Sequence, residues 1–108
     1  MASDILQFVA LTSGGRAFDI EFPLHPQTQS GIAVSDLVTR LLAVISEHAK
    51  DHTDVSDGDI LQALAMTSAI RGRMLEGDPT KIADLNRFLN EQAWQAVSAA
   101  GSYPAARA

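Results

Sequence analysis

Cysteine is absent from the 108 residues, which removes disulfides, thiolate metal sites, iron–sulfur clusters and cysteine nucleophiles together. The missing disulfides fit a reducing compartment. Also lacking is any uncharged apolar run near the ~20 residues that a membrane-spanning helix requires, so no membrane is expected. The opening MASDILQFVALTSGGR carries Asp4 and no basic residue ahead of its apolar run. That is the reverse of a secretory signal, and the expected location is cytoplasmic. Positive charge is short as well: the formal charge of −5 and pI near 4.9 make nucleic acid a poor default partner.

What is present is an ordinary globular mixture, 46% hydrophobic and 19% charged, long enough for one domain over residues 1–108 with a modest core. AFDIEF alternates strictly, placing Phe18, Ile20 and Phe22 on one side of a strand and Asp19 and Glu21 on the other. LQFVALT upstream is rich in strand formers. Gly14-Gly15 between the two runs can supply the positive φ angles of a tight turn, so a β-hairpin is predicted over residues 5–22. A rival reading starts a short helix at Ser3 and ends it at Gly14.

Three helices follow a proline-bearing loop at 23–31. The first is predicted over 34–50, with Ser35 as N-cap, Asp36 favoured by the helix dipole, and Val34, Leu37, Val38, Leu41, Leu42 and Ile45 on one face. The second, 57–76, begins after Ser56, where Asp59 three positions on makes a relative of the capping box. Gly77 and Asp78-Pro79 end it and start the third, 79–98, whose stripe is Ile82, Leu85, Leu89, Ala93, Ala96 and Val97. Residues 99–108, GSYPAARA at their end, read as a flexible tail. The expected fold is α+β, in the order ββααα, with a small single-layer sheet packed on helices.

Chemistry comes nearest to a named motif in HAKDHTDVSDGDI, residues 48–60. His48 and His52, one helical turn apart, can in principle meet one metal ion with Asp51 or Asp54. Ala49 stands where a helical zinc protease has its glutamate base, so hydrolysis of that type is excluded. An EF-hand register with Gly58 at the turn puts Thr53, Val55 and Leu64 at ligand positions, and fails. The plainer account assigns Lys50 and the histidines to one helix's negative end and Asp57 and Asp59 to the next helix's positive end. A pH-responsive imidazole pair is a further alternative.

Arg71, Arg73, Lys81 and Arg87 outline a basic patch, but Glu76, Asp78 and Asp84 interrupt it as on a solvated surface rather than a DNA-reading face. No G-x-S-x-G elbow accompanies the serines, His25 reads as a turn residue, and neither a catalytic residue nor a cofactor is assigned. The strongest signal is the stretch from Ile60 to Ile70, which has no charged residue and points large side chains around most of a helix. Ala65, Ala69 and Gly72 would let another backbone approach, so Met66, Ala69, Ile70 and Gly72 are expected at a homodimer interface. Free hairpin edges offer a second route, a four-stranded sheet shared by two copies. Trp94 lies about 120° from the centre of its helix's stripe and is the expected anchor for a protein partner, with Asn90, Glu91 and Ser98 as a polar rim. The functional expectation is a non-catalytic, self-associating interaction or regulatory module; the alternative is a small metal-binding protein or metal-dependent enzyme.

Overall fold

Strict alternation in the N-terminal third builds a strand pair, as the computed structural model shows; it describes residues 4–105. β1 (Ile5–Leu11) and β2 (Arg16–Pro23) pair antiparallel, and the helical alternative for the first segment is excluded. The register sets Leu6 opposite Phe22, Phe8 opposite Ile20 and Ala10 opposite Phe18, which gathers the apolar side chains on one sheet face. Ile20 on that face is buried. Only one of the two turn glycines takes a positive φ: Gly15 at 82°, while the backbone N–H of Gly15 donates to the Thr12 carbonyl at 3.1 Å. The Thr12 hydroxyl in turn accepts from the Arg16 N–H at 3.1 Å and pins the loop.

The sheet has a third strand that composition did not reveal. β3 (Gly101–Pro104) pairs antiparallel with β2, Ala17 opposite Tyr103 and Asp19 opposite Gly101, giving the order β1-β2-β3. Residues read as a flexible tail are therefore partly structural. GSYP has no alternating apolar pattern to announce a strand; the unpaired edge of β2 recruits it. Ala17, flanked by partners on both sides, is buried at 2% exposure. The Arg16 guanidinium donates to the Ser102 hydroxyl at 2.9 Å across the same pair of strands. Because β2 is enclosed, the edges still open belong to β1 and β3.

α1 (Gly31–Asp51) starts earlier than periodicity predicted, because Ser30 and not Ser35 is the cap: its hydroxyl accepts from the Ala33 N–H at 3.0 Å. Asp36 is consequently a turn inside the helix, where it pairs with Arg40 at 2.8 Å instead of facing the dipole's positive end. Both side chains of that pair are largely exposed, so it contributes little stability. α2 (Asp57–Arg73) opens on a complete capping box: the Ser56 hydroxyl accepts from the Asp59 N–H and the Asp59 carboxylate accepts from the Ser56 N–H, each at 3.1 Å. It stops at Arg73, short of the expected residue 76. Gly77 follows with φ at 140°. The Asp78 carboxylate then accepts from the Thr80 N–H at 3.0 Å and opens α3 (Pro79–Ala99) at its proline.

The chain falls into two compact units, one reaching to Ser35 and resuming at Leu89, the other running from Asp36 to Phe88. The first holds the sheet; the second holds all of α2. Replacing Ser56 with alanine removes the acceptor for the Asp59 amide. Urea unfolding at fixed protein concentration should show a loss of about 1 kcal/mol.

Candidate interaction surface

Within the second unit, α2 is engaged on two of its sides. On one, Ile60, Ala63 and Leu64 join Leu41 and Ile45 of α1 to line an apolar groove of about 270 Å³. On another, the Ser68 hydroxyl donates to the Asn86 side-chain oxygen of α3 at 2.9 Å. Gly72 belongs to this second side. A β-carbon placed there would stand 3.3 Å from Ile82 Cγ2, so the close approach that the glycine permits is made by a residue of the same chain. Gly72 thus leaves the set expected to face a partner.

The rest of α2 is exposed as well, as Leu61 on the α3 side is at 59%. Met66 is 55% exposed and Ile70 61%, and no residue of α2 is buried. Ala69 and Ala65 are exposed beside them. Met66, Ala69 and Ile70 are hence gathered on one open face, while Gly72 is not part of it.

The histidine pair sits at the end of α1 with its rings stacked, centroids 4.1 Å apart and planes 12° from parallel. His52 Nδ1 lies 3.1 Å from the His48 carbonyl, which fixes the second ring over the first. Nitrogen lone pairs lie in the ring planes, so stacked rings aim them side by side instead of toward one ion. Neither Asp51 nor Asp54 joins them: among the described residues no three His, Asp or Glu side chains are placed to hold a metal. His25 acts in a turn, its Nδ1 accepting from the Gln27 N–H at 3.1 Å. Of the basic residues, Arg87 is paired with Asp84 at 2.9 Å.

The sheet-bearing unit has two features of its own. A hollow of about 440 Å³ is walled by Asp19, Glu21, Ser102, Tyr103 and alanines of α3, without a histidine, lysine or arginine among its lining residues. Trp94 is 60% exposed, and Asn90, Glu91 and Ser98 around it are exposed too. The tryptophan is therefore a surface residue and not a widening of the core.

The chain matches no family model, no curated protein and no solved structure. Its surface chemistry alone carries the functional reading.

Two substitutions separate packing from surface. Gly72→Val should cost about 1–3 kcal/mol in urea unfolding, since the added methyls press on Ile82. Trp94→Ala should leave the far-UV circular dichroism unchanged and stability within about 0.5 kcal/mol, as at other exposed positions. Collapse of folding in that variant would make Trp94 a core residue.

Proposed function

We propose that the chain is a non-catalytic, cytoplasmic interaction or regulatory module that works as a homodimer. The observation that supports this is the amount of apolar surface one copy leaves in water. Among the described residues only Ala17 and Ile20 form a buried apolar core, whereas 21 large apolar side chains are exposed.

Exposed apolar residues scattered singly are normal on a soluble protein. These are not scattered. They follow one another along each helix, with Leu37, Leu41 and Val44 on α1, Met66 and Ile70 on α2, and Leu85, Phe88 and Leu89 on α3. Contiguous patches of that kind mark interaction sites in proteins that remain soluble. No helix among the described residues is long and apolar enough to cross a membrane. Trp94, with its polar surround, is the proposed anchor for a partner of a different kind.

Sedimentation velocity at micromolar concentration should give twice the chain mass, and the melting temperature should rise with protein concentration, as mass action requires when folding and association are linked. A single-chain mass at every concentration, with a melting temperature independent of concentration, would overturn the proposal.

A further inference from the structure

Of the two sheet edges left open, only one can take a further strand along its length. Granting the self-association proposed above, we infer that two copies join edge to edge, β1 antiparallel on β1 about a two-fold axis at Phe8. The two three-stranded sheets become one of six strands, and the occupant of the β1 edge is the same edge of a second copy of this chain.

The register inside the hairpin fixes which backbone groups are free. The Leu24 N–H donates to the Asp4 carbonyl at 2.9 Å and the Thr12 N–H to the Arg16 carbonyl at 2.8 Å. Even-numbered residues of β1 therefore turn their backbone groups to β2, and the N–H and C=O of Ile5, Gln7, Val9 and Leu11 point the other way. Among the described residues no backbone bond reaches those four. β3 offers much less. The Ala105 N–H donates to the Gly15 carbonyl at 2.8 Å, so odd-numbered residues of that segment face β2, and Ser102 and Pro104 face outward. Proline has no N–H, which leaves Ser102 as the one outward donor of β3. β1 also lacks every device that blocks an edge: ILQFVAL has no charge, proline or glycine, and it runs opposite β2 without a bulge. Pairing at β1 alone closes the assembly at two copies, where two open edges would propagate a fibre.

Free backbone groups in a row call for an extended strand, and the residues select this one. An axis at Phe8 sets Ile5 against Leu11 of the other copy and Gln7 against Val9. Each such pair exchanges two backbone hydrogen bonds, so all four outward N–H groups of each copy find a carbonyl. No residue of the strand is left over, as an isologous contact requires. Between those pairs Leu6 meets Ala10, a large side chain against a small one, and Phe8 meets Phe8 on the apolar face of the sheet. Charge does not oppose the seam. Along one row that crosses it the order is Glu21, Gln7, then Val9 and Asp19 of the other copy, with three strand spacings, about 14 Å, between the acids. That exceeds the screening distance of about 8 Å. Asp4 comes against Thr12, and the next charge along that row is Arg16.

Amide hydrogen exchange, read residue by residue in the natural protein, tests the edge. Leu6, Phe8 and Ala10 are bonded to β2, and in the dimer Gln7, Val9 and Leu11 should exchange as slowly as they do. Fast exchange at those three in a protein that sediments as a dimer would discard the edge seam while leaving self-association standing. A monomeric natural chain would discard both. Cysteine cross-linking then reads the register, because the natural chain has no cysteine to confuse it. Gln7→Cys and Val9→Cys proteins, altered at exposed positions, are prepared separately, mixed under conditions of subunit exchange and mildly oxidised. The mixture should cross-link faster than either variant alone, since facing Cα atoms lie about 5.5 Å apart, within disulfide reach, and those of like residues lie beyond it. Equal or faster cross-linking of either variant by itself would overturn the axis at Phe8.

Discussion

The constraint behind the whole structure is that α2 carries apolar side chains on more sides than its own chain covers. A helix at the edge of an ordinary domain turns one apolar stripe inward and a polar face to water. α2 has no such polar face between Ile60 and Ile70, and two neighbours occupy only part of its circumference. α1 takes the side of Ile60 and Leu64; α3 takes the side of Ser68 and Gly72. The third side, with Met66 and Ile70, is left to water in a single copy. Burying a methionine or isoleucine side chain is worth about 1.5–3 kcal/mol, a large share of the 5–15 kcal/mol by which a domain of this size is usually stable. Leaving such residues exposed forgoes most of the stabilisation they could give.

Local devices hold the elements in place even where packing is thin. Ser30, the Ser56–Asp59 box and Asp78 each satisfy an N–H at a helix start, and Gly15 and Gly77 provide the backbone conformations at which the chain reverses or stops. With almost no buried core, these terminal hydrogen bonds carry an unusual share of the work of defining where helices begin. They act one helix at a time, however, and give no reason for helices to stay together. That reason has to come from apolar contact.

What the residues announce in advance depends on how local the cause is. The β1–β2 hairpin is legible because alternation at Phe18, Ile20 and Phe22 and a glycine at the turn are local properties. The start of α1 misleads because Ser30 and Ser35 are both good caps, and Gly31, a poor helix former, argues against the earlier one. The structure chooses Ser30, whose hydroxyl meets the Ala33 amide. β3 is illegible since its strand character lies in the edge of β2 and not in Gly-Ser-Tyr-Pro itself. On the candidate surface, the apolar excess of α2 is plain from the residues, and so are Met66, Ala69 and Ile70. Gly72 illustrates the limit: a small residue signals a close approach without saying whose side chain approaches, and here it is Ile82. His48 and His52 show the same limit for chemistry, because helical spacing brings two imidazoles together equally well for chelation and for stacking.

Net charge narrows which open surface can serve self-association. Each copy carries −5, so two copies repel until screening by salt, over a distance of about 8 Å at physiological ionic strength, lets them approach. A seam that added like charges at contact would meet that repulsion unscreened. One face of the sheet would do so: Asp19 and Glu21 of β2 lie on it beside Val9 and Leu11, with Gln7 as the neutral partner of Glu21. Two such faces would press acid on acid with no base between them.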